Sequence, residues 1–371
     1  MAVNETLASF SNTFVYSAML VYTGALVAFA VDLSGRGRAA AGAADGSAAS
    51  TAASTKTTAA SKKKAKTAVK ASAGRVPVVV GAPADESPVA EADPVPEEGP
   101  GRGGPTGGSG SDAGTPARRT KAGGIGVSLS WLAMLVHAAG VITRGLSVQR
   151  APWGNMYEFA ITGSVVVSAV FLLVMLRRDI RYLGTFVIGP VLLTLGLAVA
   201  VFYTQAAQLV PALHSVWLIY HVSVAFIASA LFTLGFSTSV LQLVQERREM
   251  HRAAGRQLRR GRFMDALPGS ADLERSAYRL HVVAFPLWTF TVIVGAIWAE
   301  SAWGRYWNWD PKEVWSFVIW VVYAGYLHAR VTRGWDGRRA AYLALAGYAS
   351  LLFNFLVVNI FFVGMHSYAG V

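Results

Sequence analysis

Eight separate stretches of this chain are apolar and long enough to cross a bilayer, and that repetition limits the fold more than any motif does. They lie at 13–32, 126–146, 159–176, 182–203, 215–244, 280–299, 314–330 and 340–364. A helix needs about 20 residues to span the hydrocarbon core, and in lipid each segment must satisfy its own backbone N–H and C=O groups. The pattern predicts an all-α polytopic membrane protein of about eight transmembrane helices. Composition agrees, with 53% of residues hydrophobic and 15% charged, against about 25% charged in a soluble domain. Cysteine is absent, which excludes a disulfide framework, a thiolate metal site and a cysteine nucleophile. Metal chemistry falls to seven histidines or to oxygen ligands.

The first run, Thr13 to Asp32, competes with a secretory signal peptide. It is long, no basic segment precedes it and no Ala-x-Ala cleavage site follows directly, so residues 1–32 are expected to form a retained span. Residues 33–124 are Ala, Gly, Ser, Thr, Pro and Lys, running from Lys62, Lys63, Lys64 and Lys66 into an acidic patch from Asp85 to Glu98. They bury too little apolar surface to offset chain entropy, which predicts a disordered low-complexity linker. Residues 125–371 are then a seven-helix domain.

Arginines set the orientation. Arg177, Arg178 and Arg181 separate the third and fourth runs, nine arginines lie from Arg247 to Arg279, and Arg330, Arg333, Arg338 and Arg339 separate the last two. By alternation these loops share one side with the lysine-rich linker, and the positive-inside rule makes that side cytoplasmic. Both termini and the segments 147–158, 204–214 and 303–315 then face out. The net charge of +12 is accounted for without nucleic acid. Arg144, Arg150, Arg305 and Lys312 fall on the wrong side for the rule, which makes them candidates for holding an anionic group.

The outer segment 303–315 carries Trp303, Trp307, Trp309 and Trp315 with Tyr306. An interfacial aromatic belt is one reading; the density favours the other, a platform for a flat apolar ligand. Asp310-Pro-Lys-Glu313 has the form of a capping box with Pro at the first helical position. Asn155, Tyr157 and Glu158 are expected to open the third span and wall an outer cavity, with Glu158 a weaker candidate ligand.

Topology also places the histidines. His366 closes the eighth span on the outer side. His214 and His221 open the fifth, two turns apart on one face. His328 lies about 20 Å below the aromatic segment. His281 is near the inner end of the sixth span, His137 is mid-membrane in the second, and His251 sits in the arginine loop. Ionisable groups inside spans are functional candidates, although a neutral histidine bonding a neighbouring helix is the plainer reading of any single one. His221 and His366 share the aromatic segment's level, and two imidazoles beside flat aromatic surface are what bis-histidine haem requires. Trp303, Trp307, Trp309 and Asp310 are the expected surroundings, Arg305 or Arg150 the propionate partners, and His214 the reserve ligand.

The motifs Gly295-Ala-Ile-Trp-Ala-Glu300, Trp303-Gly-Arg-Tyr-Trp-Asn-Trp-Asp-Pro-Lys-Glu313, Tyr326-Leu-His-Ala-Arg330 and Gly364-Met-His-Ser-Tyr-Ala-Gly370 closely resemble the tryptophan-rich CcsA-type (CcsB or ResC) cytochrome c biogenesis proteins of System II. The resemblance covers roughly residues 126–371 and separates the chain from CcmC and CcmF proteins. It implies a plasma-membrane complex with a ResB-type subunit that carries haem b outward and attaches it to the Cys-x-x-Cys-His motif of apocytochrome c, with thiol-reducing proteins as further partners. It also implies that His221 and His366 are outer haem ligands and that His328 is the inner one. The second inner ligand would come from the partner, with His281 the local alternative. No catalytic acid, base or nucleophile is implied: the chain orients haem as part of a holocytochrome c synthase. The rival readings are a haem exporter without synthase activity, a structural membrane subunit and a respiratory electron carrier.

Overall fold

The computed structural model describes residues 3–68, 120–208, 215–256 and 262–366, with side chains described only to residue 39 in the first of these stretches. Every element among them is helical. In chain order they are α1 (Glu5–Ala68), α2 (Lys121–Val148), α3 (Met156–Arg177), α4 (Gly184–Ala200), α5 (Val216–Ala253), α6 (Ser270–Trp303), α7 (Pro311–Arg333) and α8 (Arg338–Leu352). Eight of the helical segments are long and apolar enough to cross a membrane, as the hydropathy pattern predicts. They run up and down, so the connecting residues 149–155, 201–208 and 304–310 meet at one end, the aromatic end. The connecting residues 178–183, 254–256, 262–269 and 334–337 lie at the arginine end.

Helix boundaries follow local chemistry. Asp310 caps α7 by accepting from the Lys312 amide at 3.0 Å, and Glu313 reaches back to the Asp310 amide at 3.1 Å. With Pro311 in the first helical position this is the expected capping box. Asn155 caps α3 by accepting from the Glu158 amide at 2.9 Å. Gly304 ends α6 and Gly334 ends α7, both at positive φ, where a Cβ would be penalised.

Three clusters fill the bundle, the smallest of them Leu218, Val222, Phe226 and Trp298 at the aromatic end. Of the other two, one joins α1–α4 around Tyr22, Phe29, Ile161, Phe171 and Ile188. The other joins α5–α8 around Phe232, Trp288, Ile319 and Tyr323. In lipid such contacts depend on close approach more than on water exclusion. α1 meets α2 through Gly126, under the Phe29 ring, and through Gly140, whose carbonyl accepts from Ser11 Oγ at 2.7 Å. α5 has 38 residues and α6 has 34, about 57 and 51 Å of helix. Both overhang a core of about 30 Å. The overhang at the arginine end is tied by ion pairs, Arg248 with Asp265 and Arg338 with Glu246.

One boundary differs from expectation. α1 does not stop at Asp32 but continues as helix from Leu33 to Ala68. Leu33–Ala68 is alanine-rich and free of proline. Low hydrophobicity argues against a packed core, not against a helix. Residues 69–119 of the expected linker lie outside the described residues. The chain divides into two compact units, Met1–Ala43 with Arg119–Val371, and Ala44–Arg118. The aromatic end and all its side chains belong to the first unit.

Candidate functional site

At the aromatic end a solvent-open cavity of about 210 Å³ lies among α3, α5, α6, α7 and the end of α8. Its wall is mostly apolar, with Trp153, Phe159, Trp298, Trp307 and Phe355 prominent. α8 loosens as it enters this region. Phe353–Val358 winds as a π-helix before a last turn, Asn359–Phe361, and such turns recur at functional sites. The chain then bends back and brings His366 over the head of α7.

His221 and His366 both line this cavity, and both have one ring nitrogen engaged behind the cavity wall. His221 Nδ1 lies 2.8 Å from the Thr291 carbonyl oxygen. A carbonyl can only accept, so Nδ1 carries the proton and Nε2 keeps its lone pair. Gly295 makes room for this ring: a Cβ there would come within 2.6 Å of His221 Cε1. His366 Nδ1 lies 2.9 Å from Asp310 Oδ1, which likewise directs the lone pair to Nε2. Metal-bound histidines are held by this kind of carbonyl or carboxylate bond. Burial pushes the Asp310 carboxyl upward, but the His366 ring and the Lys312 and Met365 amides outweigh it and hold the group below the usual carboxylate range.

Trp298 links the two imidazoles. Its ring centroid is 6.0 Å from that of His221, with the two planes nearly parallel, and 5.6 Å from that of His366. Trp303 closes the other side of His366 at 4.8 Å. Three buried polar atoms on residues lining the cavity, Trp298 Nε1, Thr291 Oγ1 and Asn354 Oδ1, have no hydrogen-bond partner among the described residues. Buried groups of this kind are costly unless water or a ligand satisfies them. A planar macrocycle carrying a metal with two axial positions fits this donor set and these ring surfaces.

The other expected residues divide. Trp307 lines the cavity, Trp303 packs against His366, and Asp310 anchors His366. Asn155 walls the cavity as expected, but Tyr157 is buried against Asn12 and Tyr203. Trp309 stands outside at 74% exposure with φ at 57°, so it offers no wall. Arg305 is exposed and does not line the cavity. Arg150 and Glu158 are withdrawn from it because they bond each other, Arg150 Nη1 to Glu158 Oε2 at 2.7 Å. Arg144 Nε at 3.0 Å and the Gly154 amide at 2.9 Å engage the same carboxylate. The two arginines also hold the carbonyls of Thr204 and Ala207. This cluster staples the loops at the aromatic end and leaves no free carboxylate oxygen for a ligand role.

His328 is exposed on the outside of α7. His281 is fully buried between α5 and α7, beside Phe232, Tyr323 and Tyr326. The aromatic face of α7 covers it while His328 turns away, so the two are not mates. His137 is fully buried beside Tyr22, and His251 is exposed at the end of α5. His214 lies outside the described residues. Sequence reasoning left Trp298, Thr291 and Asn354 without a role. The signal for one of them was present: Gly295 and Trp298 are three apart, hence on one face of α6, a gap beside a large ring.

Residues 153–366 match the model of the family described as cytochrome C assembly protein. Among curated relatives, the cytochrome c biogenesis protein CcsA of Guillardia theta is 33% identical over 264 residues, covering 66% of this chain and 85% of that protein. The CcsA of Synechococcus elongatus is 34% identical over 285 residues, covering 66% and 87%. Among solved structures, the cytochrome c haem lyase CcmF aligns with a TM-score of 0.45 at 16% identity, over 64% of this chain and 42% of that one.

Proposed function

This chain belongs to the cytochrome c assembly protein family and is of its CcsA type, and from that premise we propose that it holds haem b at the aromatic end for attachment to apocytochrome c. A role in cytochrome c biogenesis and haem handling comes with the family. The assignment of residues and of synthase activity is our reading. The observation that carries it is the paired arrangement of His221 and His366. The two rings come from α5 and from the segment after α8, share one apolar cavity, and each has Nδ1 tied back so that Nε2 is left for iron. Bound haem supplies iron that takes axial nitrogen ligands and vinyl groups that accept cysteine thiols. The chain supplies position: Thr291 and Asp310 fix the imidazoles, and the indoles of Trp298 and Trp307 would keep water from the bound group. Catalysis here is orientation more than proton transfer.

His328 is the ligand we assign to a lower haem site completed by a ResB-type subunit. Its exposure on the outside of α7, in the membrane span, supports a site shared between chains. We place the aromatic end on the extracytoplasmic side of the plasma membrane, which the loop arginines support. Replacing both His221 and His366 by Gly should abolish cytochrome c assembly in cells, and added imidazole should restore part of it. Assembly at the wild-type level in the double variant would remove the ligand assignment. A pure exporter, by contrast, would leave a purified complex unable to mature apocytochrome from supplied haem.

A further inference from the structure

We propose that Lys312 is the cation that pairs with a carboxylate of the bound ligand, which, if the site holds haem as proposed, is a propionate. The arginines at this end are accounted for elsewhere: Arg150 and Arg144 are spent on Glu158, and Arg305 is exposed away from the cavity. Lys312, at the second position of α7, faces inward instead. It lines the outer cavity and also an adjoining chamber of about 180 Å³ among α3, α4, α5 and α8. Phe159, Trp288, Asn354 and Phe355 line both spaces too, so the ammonium stands where they meet.

An ammonium has three donors. Among the described residues Lys312 Nζ bonds one group, the Asn354 carbonyl oxygen in the π-helical turn, at 3.1 Å. The acidic groups nearby are engaged elsewhere. Asp310 holds the His366 ring and two amides, and Glu313 Oε2 accepts from the Asn308 and Asp310 amides. A positive charge with donors to spare, set in an aromatic wall, favours an anion strongly, because low polarity strengthens a charge-assisted bond. The buried, unpartnered Trp298 Nε1 and Thr291 Oγ1 line the same cavity. They indicate that its polar groups are arranged for something other than the chain itself. The ligand chemistry this implies is a flat apolar body bearing a carboxylate.

The test compares two porphyrins. Purified wild type, Lys312→Met and Lys312→Arg are titrated with ferric haem and with its dimethyl ester, which lacks carboxylates, and absorbance reports both affinity and axial ligation. Wild type should prefer haem to the ester. Lys312→Met should lose about tenfold or more in haem affinity with little change for the ester, removing the preference, and Lys312→Arg should keep it. An equal loss for both porphyrins, or a preference that survives Lys312→Met, would overturn the assignment while leaving the two-histidine site intact. Failure of wild type to bind either porphyrin with two axial histidines would instead overturn the functional reading, and this proposal with it.

Discussion

Single residues decide the site's geometry, and two of them give sharp predictions. Gly295 is the space His221 occupies. Gly295→Ala should displace that ring and lower haem affinity by about tenfold or more while the purified protein keeps its helical circular dichroism. An unchanged titration would show that His221 is not positioned there. Asp310 serves α7 as a cap and His366 as an anchor. Its folded-state carboxyl titrates below its ordinary value, so the stability it adds is present above about pH 4 and is lost as pH falls through the folded value. Asp310→Asn should therefore cost about 1–2 kcal/mol at pH 7, and thermal unfolding should show the difference from wild type shrinking below about pH 4. A difference that grows on acidification would contradict the sign. The tie between His366 and Asp310 was invisible in the sequence because 56 residues separate them; only the capping half of Asp310's role could be read locally.

At the scale of elements, the helices were legible because lipid leaves the backbone few alternatives, and apolar runs report where those helices must be. What the runs do not report is how an element ends. The eighth run reads as one helix to residue 364, whereas α8 passes through a π-helical turn and stops at Phe361. That change lets the chain double back from the head of the bundle to Asp310. The Arg144–Glu158–Arg150 cluster likewise looked like ligand chemistry from the residue types alone. Its side chains are at most 10% exposed, and it joins α2, α3 and the 204–208 loop. Glu158→Gln leaves two buried guanidinium groups short of a counter-charge, a change that costs about 3–5 kcal/mol when one partner of a buried pair is removed. Chemical unfolding in detergent should show a loss of that order, with the haem spectrum of the folded fraction unchanged. A variant of full stability lacking only haem would restore Glu158 to the site.

Among the described residues, two histidines share the cavity at the aromatic end while His328 is exposed within a membrane span, and on the proposed function that difference separates what this chain does alone from what it does in a complex. His328→Ala should leave haem binding by the isolated chain unaltered and remove only the lower-site haem from the complex with a ResB-type subunit. Loss of haem from the isolated chain would contradict that division. Because the chain has no cysteine, topology is open to single introduced cysteines. A residue such as Ala206→Cys should react with an impermeant maleimide on intact cells, and Asp336→Cys should not. The reverse pattern would invert the orientation. The central claim is that His221 and His366 take one iron between them, and electron paramagnetic resonance of the purified chain loaded with ferric haem tests it most directly. Wild type should give a low-spin signal with two imidazole ligands, converted to high spin in His221→Ala and in His366→Ala alike. A low-spin signal that survives either substitution would contradict the claim.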